Sequence, residues 1–319
     1  MGRRGTRRPI KSLDISKART YSLRPRRSIV DTAVLARPTR RAMSLRQFLD
    51  GLPDVLAGRD FRAAAKAIAQ RQRAGKHVVL GMGAHPIKVG LSPLIIDWMK
   101  RGKLSALALN GAAIIHDFEL AYAGHTSEDV AANLGEGKFG MARETGEFLN
   151  RAIASAAPDE GLGAAVGRAM LKARLPHARF SLLAAAARLE IPVTVHVAVG
   201  TDIIHMHPSA DGAAVGRTSL DDFHRLTAVV ATMRGGVFIN LGSAVIIPEV
   251  FVKALNLARN LGHRVDRLLT IDMDFVRHYR PQVNVVTRPT QGNGIGYQFT
   301  GHHELMLPLL FAAVDEYSL

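Results

Sequence analysis

Residues 194–220 read TVHVAVGTDIIHMHPSADGAAVGRTSL. An apolar run of β-formers ends at Gly200, Thr201 and Asp202. A second short run, residues 203–206, carries His205 and then His207 into a loop of proline, serine and glycine. A strand, a glycine turn and clustered ionisable groups are how a parallel α/β sheet presents chemistry at the carboxyl ends of its strands. Read as extended chain, the segment turns His205 and His207 to one side. An imidazole titrates near neutral pH and suits a general base at an alcohol or amine carbon. His207, His205 and Asp202 are therefore the catalytic candidates. The same pair also offers two nitrogens to a metal, with His302, His303 and Asp202 or Glu304 completing a shell. A structural hydrogen bond within the sheet is the third use of such a histidine.

Outward from this segment, the chain alternates short apolar strands with amphipathic helices. Strands are predicted at 77–81 (HVVLG), 105–109 (SALAL), 192–199, 236–241 (GVFINL) and 266–272 (DRLLTID), with a last edge strand at 284–287 (NVVT). Helices are predicted at 44–56, 61–72, 86–100, 114–123, 144–157, 163–173, 178–188, 219–233, 248–261 and 304–316, with a short one capped by residues 126–129. The 219–233 helix would carry Asp221 and Asp222 in its first turn, where they favour the helix dipole. Alternation of this kind implies an α/β fold with a doubly wound, mostly parallel sheet covered on both faces. The simplest organisation is one domain over 43–319, with the alanine-rich helices of 144–188 as an insertion or one-sided layer.

Composition bounds the function. The chain has 319 residues, 47% apolar, and no cysteine, which removes disulfides, thiolate nucleophiles and cysteine–zinc sites. No apolar run reaches the roughly 18 residues needed to cross a bilayer, so a cytoplasmic protein with no membrane partner is expected. The net charge of +15 is concentrated at one end. Residues 1–42 hold 13 Lys/Arg and two acids, leaving 29 basic against 25 acidic residues in the rest of the chain. A basic arm of this kind reads as a disordered N-terminal extension, able to make weak nucleic-acid contact by neutralising phosphate. Met43 followed by Ser44 to Gln47 resembles a helix N-cap with its capping box, so order is expected to begin there.

Three glycine turns fall at strand ends. Gly81-Met-Gly83-Ala84 leads into a helix with Pro86 in its first turn, a geometry that lets backbone approach a phosphate. The third glycine of a dinucleotide fingerprint is absent, and the second strand ends in Asn110 rather than an acid that would hold a ribose. Asn110, Gly111 and Ala112 form the second turn, Gly200 and Thr201 the third. Gly81, Gly83, Ala84, Asn110, Gly111, Ala112, Gly200 and Thr201 are cofactor-contact candidates, as is Asp272 at a later strand end, with Asp274 two residues on. Lys88, one turn into the first of these helices, is placed to neutralise a phosphate. His116, Asp117 and Glu119 are substrate candidates, since acids and an imidazole after a glycine turn suit a cationic group or a ribose; acids there equally cap a helix. Residues 288–301, RPTQGNGIGYQFTG, are too polar and glycine-rich for core and read as a loop closing over a ligand.

Several segments together resemble deoxyhypusine synthase and its bacterial relatives. These are ALALNGA at 106–112 with His116 to Glu119, GTDIIHMH at 200–207, GGVFINLG at 235–242 and ELMLPLL at 304–310. The resemblance runs in order and spacing from about residue 77 to 310. It implies an NAD-binding α/β fold, places His207 at the family's catalytic histidine and puts His302 where the family has an aspartate near the cofactor. It also brings departures. Ile247 stands where the family's imine-forming lysine belongs. The acidic, tryptophan-containing segment that holds a polyamine is missing, and Trp98, the only tryptophan, lies in an early helix. The expectation is a homo-oligomeric, deoxyhypusine synthase-like enzyme that uses NAD to act on a small amine or alcohol without a lysine imine. A metal-dependent hydrolase or isomerase built on clustered histidines, and a non-catalytic nucleotide- or RNA-binding protein, are the alternatives.

Overall fold

The computed structural model describes residues 10–318. The elements run α1 (Leu45–Gly51), α2 (Leu56–Arg73), β1 (Val78–Met82), α3 (His85–Lys88), α4 (Ser92–Lys100), β2 (Ala106–Asn110), α5 (Gly111–Ala123), α6 (Val130–Leu134), α7 (Arg143–Ala154), α8 (Leu162–Ala173), α9 (Leu182–Arg188), β3 (Val193–His196), α10 (Gly212–Ala231), β4 (Val237–Leu241), α11 (Ile246–Asn260), β5 (Leu269–Asp274), α12 (Tyr279–Pro281), β6 (Ile295–Thr300) and α13 (His303–Ser318). All six strands are parallel, in the order β3-β2-β1-β4-β5-β6. The chain therefore winds one way from β1 to β3 and the other way from β4 to β6, leaving a switch point between β1 and β4. That is the α/β fold expected from the alternation of elements.

Strands buried on both faces read as continuous apolar runs because each face meets a helix layer. Leu80, Met82, Leu107, Leu109, Ile239, Leu241 and Ile271 point into the larger core, shared with α2, α4, α5, α7, α8, α9 and α13. Val79, Ala106, Ala108 and Phe238 point into the smaller core beneath α10 and α11. Residues 144–188 contribute Leu149, Ile153, Val166, Met170 and Leu183 to the larger core, so this segment is a one-sided layer within the crossover from β2 to β3. Among the described residues no helix is long and apolar enough to cross a membrane.

Before α1 the described chain forms two short 3-10 turns, Ile15–Lys17 and Thr32–Val34. Contact with the folded part begins ahead of residue 43: the Arg37 N–H donates to Gly51 O at 2.9 Å and Asp54 N–H to Val34 O at 2.9 Å. Arg3, Arg4, Arg7 and Arg8 lie outside the described residues. The capping box on Ser44 and Gln47 is present as read.

Four readings are corrected by the coordinates. The helix expected at 86–100 breaks into α3 and α4, because Gly90 takes φ +83° and Pro93 sits in the first turn of α4. The helix expected from Ser219 begins at Gly212, capped by Asp211, so Asp221 and Asp222 lie mid-helix rather than at its dipole. Residues 284–287 belong to a π turn, Gln282–Thr287, not to a strand. The edge strand is β6, inside the segment read as a ligand-covering loop. Its glycines serve packing instead: a Cβ at Gly296 would lie 2.3 Å from Val286 O.

Gly81 also has a structural duty. A Cβ there would lie 2.5 Å from Ile247 Cγ2 and 2.8 Å from Phe238 Cζ, so the bare backbone is what lets α11 seat on the sheet. Gly81→Ala is expected to destabilise the fold by about 2 kcal/mol through overpacking, read as a lowered urea midpoint with an unchanged slope.

Candidate functional site

The switch point places the carboxyl ends of β1 and β4 side by side, where open α/β sheets hold ligands. Gly83 and Gly242 face each other there: the Gly83 N–H donates to Leu241 O at 3.2 Å, and a Cβ on Gly83 would lie 2.6 Å from Gly242 O. Gly242 sits at φ +63°, a left-handed conformation that glycine adopts without strain. Glycine at both positions lets the two turns meet backbone to backbone at one contact. Around it stand His85, Phe275 and His303, with ring centroids 5.2–5.7 Å apart.

His303 is fully buried, and neither ring nitrogen has a hydrogen-bond partner; its Nε2 lies 3.6 Å from Asp274 Oδ1. Burial works against the Asp274 carboxylate, but the facing His303 ring and the Phe275 N–H hold its pKa below the usual aspartate value. Burial first, then the neighbouring His303 and Lys88, lower the pKa of His85.

A second feature lies on the β2 side of this contact. A cavity of about 190 Å³ is lined by Lys88, Ala112, His116, Glu119, Thr201 and Asp202, six residues singled out from sequence alone, together with Ile115, Ser127, Glu128, Val130, Phe139 and Ile203. α3 delivers Lys88, α5 delivers Ala112, His116 and Glu119 on successive turns, and the loop after β3 delivers Thr201 and Asp202. Asp202 rests on the first residue of α5: a Cβ at Gly111 would fall 1.9 Å from its Oδ2. That oxygen is buried without a partner, and burial pushes the carboxyl up to about 6. His116 is lowered to about 4 by burial and by Lys88, so it stays neutral at physiological pH. Its Nδ1 lies 2.7 Å from Thr126 Oγ1, and the Thr126 hydroxyl donates to Glu119. Glu119 also accepts from the Thr145 hydroxyl at 3.2 Å.

Several expected residues lie elsewhere. His205 and His207 do not share one extended segment, because His205 lies in a 3-10 turn, Ile203–Met206, that ends just before His207. The His207 ring packs on Gly146 of α7, with Nε2 3.0 Å from Gly140 O, so it braces a loop. His205 turns back on its own loop and accepts from the Gly200 N–H at 3.2 Å. Gly200 itself is exposed at the outer side of that loop, at φ +92°.

Asp117 is fully buried and caps α9, accepting from the Ser181 hydroxyl and from the Leu182 and Leu183 N–H groups. Asp272 is buried between Asn240 and Gln298, which donate to its two oxygens at 2.8 and 3.1 Å across paired register positions of β4, β5 and β6. Asn110 accepts from the Ala113 N–H as the cap of α5. Ala84 precedes His85 in the turn after β1, whereas His302 points to solvent, 72% exposed. Among the described residues no three His, Asp or Glu side chains converge as a metal-binding group, because His205 and His207 diverge and His303 lies across the sheet from them.

The residues that sequence reading passed over are His85 and Phe275. The one signal for His85 was its place directly after GMGA; Phe275 gave none.

No protein-family model and no curated protein sequence matches the chain. Solved structures do. A putative LOR/SDH protein from Methanococcus maripaludis S2 superposes with a TM-score of 0.53 at 14% identity, over 89% of this chain and 76% of that one. A putative deoxyhypusine synthase from Entamoeba histolytica gives 0.52 at 10% identity, over 86% and 94%. AgrE, in a ternary complex with ornithine and NAD+, gives 0.51 at 13% identity, over 82% and 34%. This chain spans about a third of the length of AgrE and of the cyanobacterial arginine dihydrolase ArgZ. At such identities the likeness establishes the fold: a wound parallel α/β sheet of a kind found in a protein solved with NAD+ and in a putative deoxyhypusine synthase.

Proposed function

We propose that this chain is an NAD-binding enzyme that oxidises a small amine or alcohol held in the cavity between α3, α5 and the loop after β3. The observation that carries the reading is the convergence of Lys88, His116, Glu119, Thr201 and Asp202 on one cavity beside the switch point of the sheet. The AgrE complex with NAD+ supports it at the level of the fold.

The sheet edge suits a dinucleotide in one respect, since the turns at Gly83 and Gly242 present bare backbone there. It departs in another, since β2 ends in Asn110 where a ribose-binding acid often stands. When bound, the nicotinamide supplies a hydride acceptor. The protein's own part is proton handling. As the C–H hydride leaves, the O–H or N–H proton passes to the Asp202 carboxylate, giving a carbonyl or an imine. A carboxyl at about 6 is mostly ionised at pH 7.5 yet basic enough to accept that proton. Lys88 holds an anionic group of the substrate, and Glu119, fixed by Thr126 and Thr145, holds a cationic one. Ile247, fully buried in the core, leaves no amine for covalent attachment at the position where the resemblance would require one.

Trp98 is fully buried and stacked on Phe311, so NAD+ binding is best followed by heat rather than by tryptophan fluorescence. Calorimetry is expected to show saturable NAD+ binding tighter than about 1 mM, near −4 kcal/mol. No heat of binding at several times that concentration removes the reading. With a panel of small amines and alcohols, NADH formation should rise with pH through about 6, as Asp202 ionises. Asp202→Asn should lower kcat by about 100-fold while leaving NAD+ affinity in place.

A further inference from the structure

One wall of the cavity is a series of four side chains brought together from three segments. His116 and Glu119 lie one turn apart on α5 and so share a face. The helix ends at Gly124, whose φ of +77° turns the chain back, and Thr126 returns against that face. Thr145 comes from α7. The contacts run in order: His116 Nδ1 lies 2.7 Å from Thr126 Oγ1, Thr126 Oγ1 meets Glu119 Oε2, and Glu119 Oε1 lies 3.2 Å from Thr145 Oγ1.

Counting protons fixes the direction of each link. A carboxylate only accepts hydrogen bonds, and a hydroxyl has one proton to give. Thr126 gives that proton to Glu119. It then has only lone pairs left for His116, so Nδ1 must carry the hydrogen. Burial and Lys88 keep the ring neutral, and a neutral imidazole has a single N–H. Nε2 is therefore bare. A histidine side chain free in water does the reverse and carries its proton mainly on Nε2. The hydrogen bond at one ring nitrogen decides the state of the other.

The bare nitrogen is on the cavity side. Thr126 lines a neighbouring cavity of about 410 Å³ and not the one of about 190 Å³; His116 lines the smaller and not the larger, and Glu119 lines both. With Nδ1 turned to Thr126, the opposite edge of the ring, which holds Nε2, is the edge presented to the smaller cavity. Among the described residues Nε2 has no hydrogen-bond partner, and unlike both nitrogens of His303 it is not sealed from solvent.

We propose that Glu119 and Thr126 lock His116 in its Nδ1–H form, so that Nε2 is a hydrogen-bond acceptor for an O–H or N–H group of the substrate. The substrate class rests on the NAD-enzyme reading; the tautomer does not. Glu119 and Thr126 are positioning residues, and His116 is the group that touches the ligand. A ligand of the same shape without that donor leaves the nitrogen unpaired, which is how the cavity discriminates.

The test is NMR of the full chain, isotope-labelled at its histidine ring nitrogens and held at neutral pH, with His116→Gln identifying the His116 signals. The spectrum separates N–H from bare ring nitrogens. Wild type should favour Nδ1–H over Nε2–H by at least about tenfold. Thr126→Ser keeps the hydroxyl and should keep the ratio. Thr126→Val leaves 3.9 Å between His116 Nδ1 and Glu119 Oε2, too far for a hydrogen bond. Glu119→Gln lets the series run backward, with the amide donating to Thr126 and Thr126 to Nδ1. Both variants should move the ratio toward Nε2–H by about tenfold.

Access to Nε2 is read with diethyl pyrocarbonate, which acylates bare imidazole nitrogens that solvent reaches. Peptide mapping should find His116 modified along with the exposed His125 and His302, and the buried His303 intact. A wild-type ring protonated at Nε2 or at both nitrogens, a ratio that neither Thr126→Val nor Glu119→Gln moves, or a His116 that the reagent leaves intact each overturns the proposal. The wild-type spectrum and labelling use unaltered protein, so refutation does not depend on the variants folding. NAD+ calorimetry separates the two readings. The expected tautomer and labelling without NAD+ binding remove the NAD reading alone, and NAD+ binding with a wild-type Nε2–H ring removes this inference alone.

Discussion

Ile247→Lys is expected to destabilise the protein by about 5 kcal/mol at pH 7, the cost of keeping an amine neutral where its pKa is depressed by three to four units. The position matters because the resemblance to deoxyhypusine synthase puts an imine-forming lysine there. Ile247 is fully buried, its Cγ2 fills the space left by Gly81, and the Phe238–Phe251 stack lies in the same core. The buried Asp272 carboxylate on the same face of the sheet is already taken up by Asn240 and Gln298.

A lysine whose folded pKa lies below its unfolded value gives stability that is present above the unfolded pKa and lost as pH falls toward the folded one. The deficit should therefore shrink between about pH 7 and pH 10. Urea unfolding across that range checks it. A variant as stable as wild type at pH 7 would mean that the α11 start is open to solvent and that the cofactor side of the sheet has been misread.

Asp222→Ala is expected to cost about 3 kcal/mol at pH 5, from two buried N–H groups left unpaired. Asp222 is fully buried in α10, and its Oδ2 accepts from the Val195 N–H at 2.7 Å and the Gly163 N–H at 2.8 Å. One carboxylate oxygen thus ties the free edge of β3 to the first turn of α8. That closes a strand edge which would otherwise offer unpaired donors.

Burial pushes this carboxyl up to about 7 against the two N–H groups that favour its charge. A raised carboxyl pKa means stability that is present below the unfolded value near 3.8 and lost as pH rises through about 7. The alanine deficit should therefore narrow between about pH 4 and pH 7 and level off above that, where wild type carries the cost of a buried charge. Asp222→Asn keeps an acceptor for both N–H groups without that charge. It should match wild type within about 1 kcal/mol at pH 8 and flatten the pH dependence. A pH profile that Asp222→Asn leaves unchanged would show that the slope arises elsewhere.

Much of the candidate site was legible because its residues sit at strand ends. Ala112, Thr201 and Asp202 follow glycine turns, and His116, Glu119 and Lys88 come one to two helical turns later. In a parallel sheet such positions share one edge whatever the strand order. The misreadings have a common cause. His207 and Asp117 carry chemistry by residue type, but a carbonyl from the loop before α7 and the open amides of α9 claimed them. Those partners lie 64 to 67 residues away in the chain, beyond any local pattern. The glycine-rich 288–301 segment looked like a loop because an edge strand needs little apolar surface, and β6 has only one fully buried position, Phe299.

The order of apolar runs, helices and turns by itself determined the wound parallel sheet, the edge on which chemistry collects and the absence of a lysine at position 247. Periodicity records which faces must leave water, and that requirement is local. Only the tertiary structure decided which ionisable groups remain free for ligands. Whether a carboxylate or imidazole is used up or left over depends on the donors and acceptors that distant segments bring beside it. That is why Asp202 and His303 are left with unpartnered buried atoms while Asp117 and His207 are bound into the fold.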